Sequence, residues 1–184
     1  PAGLDSVSAI ACIDPDKDVD GLHPSNVGRL WNGEEGLFPC TALGLIEILD
    51  HYGVEIRGRE VVIVGRSQLV GKPAAALFLR RDATVTVAHS RTTDLKSVTA
   101  RADIVVAAVG VPGLITKDHV RPGAAVLDVG LTRVDGKIRG DVAPDVAERA
   151  GWLTPMPGGT GLLTVAMLLV NTVDAAVRRR SSAG

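Results

Sequence analysis

The sequence predicts an α/β fold, a doubly wound and mostly parallel sheet with helices on both faces. Three observations carry this. Short apolar or β-branched runs at 61–64, 83–88, 103–109 and 124–129 are separated by segments of helical spacing. Most of these runs are near-continuously apolar, as expected of strands covered on both sides. Each ends at glycine or a small polar residue, so the carboxyl ends should line one crevice, where open α/β sheets bind ligands.

Residues 1–40 carry little periodic pattern and much turn chemistry: Asp14-Pro15, Asp20-Gly21, His23-Pro24, Asn32-Gly33 and Phe38-Pro39. They read as a surface-running connector or the remnant of another domain. From Thr41 the pattern becomes helical, with Leu45, Ile46, Ile48, Leu49 and Tyr52 on one period, Thr41 as N-cap and Gly53 as stop. Strand 61–64 follows, then a helix over 70–79 whose Pro73 is tolerable only in the first turn. Residues 83–88 alternate Thr and Val as a second strand, and a short helix covers 95–100. Strands at 103–109 and 124–129, a helix at 142–150 and a short strand at Trp152-Leu153 come next. The closing helix, 162–178, is apolar almost all round and should be covered on most sides.

Apolar content of 46% with 22% charged residues suits a globular protein with a full core. A net charge of −1 gives no bulk field for nucleic acid or an anionic membrane. No run reaches the ~18 consecutive apolar residues of a membrane span, and no signal peptide is visible. Cys12 and Cys40 form neither a disulfide framework nor a metal-ligand spacing, so no metal is expected and a reduced, cytoplasmic protein is the default. Arg178-Arg179-Arg180 before Ser181–Gly184 reads as a solvated, fraying tail. The chain opens on Pro1 rather than Met, which points to processing or a missing N-terminal portion.

The most informative string is Val64-Gly65-Arg66-Ser67-Gln68-Leu69-Val70-Gly71-Lys72-Pro73. Strand, glycine turn and helix start present backbone N–H groups to a phosphate, although the spacing meets the Gly-x-Gly-x-x-Gly fingerprint only in part. An NAD-type site places Asp or Glu about 20 residues beyond the turn. Here the second strand runs into His89-Ser90-Arg91-Thr92, with no acid before Asp94. Arg66 in the turn can pair with a 2′-phosphate, and the hydroxyls of Ser67 and Ser90 can donate to it, so NADP is expected over NAD. The plainer alternative makes Arg66 and Arg91 solvated charges and Ser90 a turn cap. His89 reads as a structural residue, His51 as a partner of its helix dipole, and His119 as a surface residue.

Further strings join this turn in order. They are Lys17-Asp18-Val19-Asp20-Gly21, Asn26, Gly28-Arg29-Leu30, Pro39-Cys40-Thr41, Ala83–Thr86, His89-Ser90, Ala102-Asp103-Ile104, Asp128-Val129-Gly130, Gly140-Asp141-Val142 and Thr154–Gly159. As an ordered set they resemble the bifunctional methylenetetrahydrofolate dehydrogenase/methenyltetrahydrofolate cyclohydrolase family over nearly the whole chain. The resemblance implies a Rossmann-like NADP-binding domain at 41–157, after a remnant of or connector from an N-terminal catalytic domain at 1–40. Residues 158–184 would form a helix packing back toward the substrate domain. It also implies NADP-dependent oxidation of 5,10-methylenetetrahydrofolate to the methenyl form, then hydrolysis to 10-formyltetrahydrofolate, in homodimers that feed purine, methionine and histidine synthesis. Carried over, the cofactor contacts fall on Gly65, Arg66, Ser67, Ser90 and Leu131, where Ile is commoner. The substrate-orienting carboxylate falls on Asp20, and the substrate loop on Gly158, Gly159, Thr160 and Gly161. A carboxylate can accept two ring N–H bonds from a pterin, whereas an isolated Asp-Gly would simply start a turn.

The chain departs from the family in places. The family's Tyr, its Lys four residues later and its Gln near a Leu-Pro-Leu-Pro string are not found here. The one tyrosine, Tyr52, is followed four residues on by Ile56. Gly-Gly-Thr-Gly-Leu-Leu-Thr at 158–164 replaces Gly-Gly-Val-Gly-Pro-Met-Thr, and Cys40-Thr41-Ala42 replaces Cys-Thr-Pro. The chain therefore reads as the back half of a longer enzyme or a natural truncation, binding NADP without completing the chemistry. Two alternatives stand beside this. One is another NADP-linked oxidoreductase of shikimate-dehydrogenase type, whose Gly-x-Gly turn is lacking. The other is a non-catalytic nucleotide-binding module.

Overall fold

The computed structural model describes residues 5–182. Residues 1–4 of the expected connector and 183–184 of the expected tail lie outside them. The elements run α1 (Ser6–Ala11), α2 (Pro24–Asn32), α3 (Cys40–His51), β1 (Glu60–Val64), α4 (Gly71–Arg80), β2 (Thr84–Ala88), α5 (Leu95–Thr99), β3 (Ile104–Ala107), β4 (Ala125–Asp128), β5 (Thr132–Val134), β6 (Lys137–Arg139), β7 (Trp152–Leu153) and α6 (Thr160–Ser182).

Five strands form a parallel sheet in the order β2-β1-β3-β4-β7, the architecture expected from the strand-helix alternation. Its faces explain the continuous apolar runs. Val61, Ile63, Ile104, Val106, Ala125 and Leu127 pack with α3 and α4, while Val62, Val64, Val105, Ala107 and Val126 pack on the other side with Ile115, Val120 and Val146. Alternate residues of one strand thus enter two different cores, so neither face can carry polar side chains.

Four features differ from the sequence reading. Residues 1–40 contain α2, which contacts α4 and buries Leu30 and Asn26. Pro24 opens it and Gly33, at φ +77°, closes it; nine residues with a buried Asn give too short an apolar signal to read. The helix expected at 142–150 is a short 3-10 segment, Pro144–Glu148, burying only Val146. An antiparallel hairpin, β5–β6, turns at Asp135 and Gly136, both at positive φ, an Asp-Gly pair of the kind two-residue hairpin turns favour. The arginine tail continues α6, and Arg179 pairs with Asp14 at 3.2 Å.

The closing helix brings the largest correction. It packs on α3, yet Leu162, Val165, Leu169, Val170, Val173 and Val177 form a stripe along its outer side, with Leu169 65% exposed. The expected cover on most sides is not provided by the described residues. By length and composition alone α6 could cross a membrane. Its inner side, however, carries polar groups bonded to protein: Thr164 to the Thr41 hydroxyl at 3.0 Å, and Asn171 to two backbone carbonyls.

Candidate functional site

The turn after β1 leaves no room for a side chain at two of its positions. Gly65 lies at φ +130°, and a Cβ there would stand 2.2 Å from the Ala108 carbonyl oxygen. A Cβ on Gly71 would stand 2.2 Å from the Gly65 carbonyl oxygen. Both positions therefore need glycine, one for conformation and space, the other for space alone. Ser67 Oγ accepts the N–H groups of Val70 at 3.1 Å and Gly71 at 3.4 Å, which leaves its hydroxyl proton free to donate outward. The turn is thus a backbone cradle with room only for glycine, next to an exposed hydroxyl and the exposed Arg66, which forms no ion pair among the described residues. These residues fit the phosphates of a dinucleotide.

Strand register places the other expected contact. Val64 pairs with Ala88. Arg66 and Ser90, each two residues further on, lie in the turns that follow these adjacent strands, and both are exposed. His89 is turn structure: its N–H donates to the Thr92 hydroxyl at 2.8 Å, and its Nδ1 accepts the Arg91 N–H at 3.1 Å. His119 is half-buried rather than on the surface, its Nδ1 2.9 Å from the Thr116 hydroxyl. Burial, with Lys96 nearby, pushes its pKa down.

Beside the turn a cleft of about 500 Å³ brings together Asp20, Leu131 and Gly158–Gly161, with Leu69 and Val70 of the glycine turn on its wall. Gly65, Arg66, Ser67 and Ser90 do not line it. Leu131 is largely exposed, and Ile138 of the hairpin lines the same wall. Thr160 is buried, and its hydroxyl donates to the Asp128 carbonyl at 2.9 Å, so this side chain closes the end of β4 rather than offering a group to solvent. A larger apolar cleft of about 610 Å³ opens beside β7, between the end of α3 and the start of α6, and is lined by Tyr52 and Trp152, whose rings meet at a tilt of 46°.

Two buried carboxylates that sequence reasoning gave no role hold the hairpin wall in place. Asp128 accepts the N–H groups of Gly130 at 3.0 Å, Asp141 at 2.9 Å and Val142 at 3.1 Å. Asp141 accepts those of Val109 at 2.6 Å and Gly110 at 3.0 Å, while its second oxygen has no partner among the described residues. Burial pushes the Asp128 carboxyl up, against the three N–H donors that favour its charge. A carboxylate as the last residue of an apolar strand is the signal that could have found it. No group of His, Cys, Asp and Glu suited to a metal ion occurs among the described residues.

Residues 39–180 match the NAD(P)-binding domain of tetrahydrofolate dehydrogenase/cyclohydrolase. The chain belongs to that family. It is 58% identical over 183 residues to the bifunctional protein FolD of Thermus thermophilus, covering all of this chain and 65% of that protein. The crystal structure of FolD from Campylobacter jejuni superposes with a TM-score of 0.95 at 43% identity, covering 97% of this chain and 64% of that one. The Trypanosoma brucei enzyme, solved with NADP cofactor and inhibitor, gives 0.91 at 44% identity over 97% and 64%. The chain thus spans just under two thirds of the length of these relatives. Within the family's NAD(P)-binding domain, the glycine cradle at Gly65 and Gly71 is the element whose chemistry fits the nucleotide.

Proposed function

We propose that this chain supplies the NADP-binding part of an enzyme that oxidises 5,10-methylenetetrahydrofolate to the methenyl form and hydrolyses it to 10-formyltetrahydrofolate. The carrying observation is the adjacency of the glycine cradle to the cleft that holds Asp20 and Gly158–Gly161. A bound NADP would accept the hydride. Gly65, Arg66, Ser67, Ser90 and Leu131 would hold it, with Arg66 and the two serine hydroxyls on its 2′-phosphate. Asp20 would accept ring N–H bonds from the pterin and turn its one-carbon bridge toward the cofactor. The Gly158–Gly161 backbone would complete the substrate wall. The NADP-bound relative from Trypanosoma supports the cofactor choice, which rests here on Arg66 and on the lack of an acid at 89–93.

Residues 1–40 are read as a connector from an N-terminal catalytic domain, 41–157 as the NADP-binding domain, and 158–184 as the helix that returns to the catalytic domain. The outer stripe of α6 supports this, since an apolar face of that length needs a protein cover. A homodimer, a cytoplasmic location and service to purine, methionine and histidine synthesis belong to the same reading.

The test extends the chain upstream with the N-terminal third of the Thermus relative. The 184-residue chain should bind NADP without turnover, and the extended protein should form methenyltetrahydrofolate with NADP. An extended protein that folds and binds NADP but forms no methenyl product overturns the reading.

A further inference from the structure

We propose that Asn171 is the positioning residue for Asp20; this rests on the reading of Asp20 as the pterin-binding carboxylate. Asn171 lies in the middle of α6 and is 4% exposed. Its side-chain N–H groups donate to the carbonyls of Val19 at 2.7 Å and Phe38 at 2.9 Å, with Cys40 Sγ at 3.5 Å. An amide nitrogen has two protons, and the two carbonyls take both.

Those carbonyls belong to two segments that run against each other next to the cleft. Val19 immediately precedes Asp20. Gly21, which follows it at φ +65°, lies so close to the second segment that a Cβ would sit 2.4 Å from the Phe38 carbonyl carbon. One side chain therefore staples the Asp20 loop to the start of α3. The Cys40 thiol adds a contact to the Val19 carbonyl at 3.4 Å; burial, with the Asp20 carboxylate adding, pushes that thiol up and keeps it a neutral donor. From the other side the buried Asp18 accepts the His23 N–H at 2.7 Å and the Asn26 amide at 2.9 Å. Asp20 is exposed, but the residues before and after it are fixed.

The consequence is geometric. The same helix that carries Asn171 begins at Thr160 and Gly161 on the cleft wall. One rigid element thus sets the distance between the substrate loop and the carboxylate. Asn171 does not itself line the cleft; it acts through Val19.

The test uses the protein extended upstream with the N-terminal third of the Thermus relative and measures binding of NADP and of 5-formyltetrahydrofolate, a stable folate, by calorimetry. Asn171→Ala, and Asn171→Ser as the milder variant, should weaken folate binding about tenfold or more while NADP affinity stays within about twofold. The double variant with Asp20→Asn should bind folate no worse than Asp20→Asn alone, because both changes remove one function. Additive losses, or an equal loss of NADP binding in both Asn171 variants, would overturn the positioning role and leave Asp20 standing. Unchanged folate binding in Asp20→Asn, or no folate binding by the unmodified extended protein, would instead overturn the parent reading, and this one with it.

Discussion

Arg66 and Ser90 lie in the turns that follow neighbouring parallel strands, each two residues beyond the paired positions Val64 and Ala88. In the proposed reading this guanidinium and this hydroxyl, with the exposed Ser67 hydroxyl, receive the 2′-phosphate of NADP. Replacing Arg66 with Ala should weaken NADP by about tenfold to a hundredfold, the worth of a charge-assisted contact, and leave NAD nearly unchanged. Parallel fluorescence titrations with the two dinucleotides check this, and an equal loss for both would exclude a 2′-phosphate contact.

The glycine cradle predicts a sharp stability effect. In Gly71→Ala the new methyl meets the Gly65 carbonyl, the Gly65 carbonyl carbon and the Arg66 Cα, all backbone. Helix propensity favours alanine by about 1 kcal/mol, yet the clash should win and cost about 2 kcal/mol or more. A urea midpoint that rises would show that the turn relaxes freely.

Thr160 stands where the family carries an apolar residue, and its hydroxyl satisfies the Asp128 carbonyl. Thr160→Val keeps the shape and removes the donor, so it should cost about 1–3 kcal/mol by leaving a buried carbonyl unpaired. Thr160→Ser should recover most of this. Equal denaturation midpoints for Thr and Val would make the hydroxyl incidental.

Two carboxylates predict opposite pH slopes. The Arg81 guanidinium, paired with both Asp50 oxygens at 2.6 and 2.7 Å, holds the Asp50 pKa below its usual value. Its stabilisation is present above the ordinary carboxylate range and is lost as pH falls through the lowered value. With each side chain 42% exposed, the pair is worth no more than about 1 kcal/mol, and Arg81→Ala should flatten the acid limb by that amount. Asp128 acts the other way: its raised pKa favours folding at low pH, a gain lost as pH rises through that value. Denaturation of wild type and Asp128→Asn between about pH 4 and 7 checks the sign, because the wild-type advantage should shrink as pH rises.

The sheet was legible because its strands are buried twice over. Val61 to Val64 feed two cores, and that requirement writes an unbroken apolar run into the sequence. The turn was legible because Gly65 and Gly71 are the only residue type its backbone admits. The hairpin was signalled by Asp135-Gly136 but masked by exposed, mixed flanks, and α2 by a buried Asn that hydropathy scores as surface. Asn171, Asp128 and Asp141 were silent because, the Asp128–Gly130 bond aside, their work depends on partners 13 to 152 positions away, from Asp128–Asp141 to Asn171–Val19. No local pattern encodes such separations. The outer side of α6 misled for a related reason: its composition records a contact surface that these residues do not themselves bury.

The hairpin of β5 and β6 pairs with itself and not with the five-stranded sheet. Its base is tied through Asp128, Asp141 and the bond from the Thr132 hydroxyl to the Gly110 carbonyl. Its tip is therefore mechanically uncoupled from the scaffold. The turn pair Asp135-Gly136 is confined to turn residues by its positive φ, but the exposed flanks around it can change and reshape one wall of the pocket while the strands beneath keep their register.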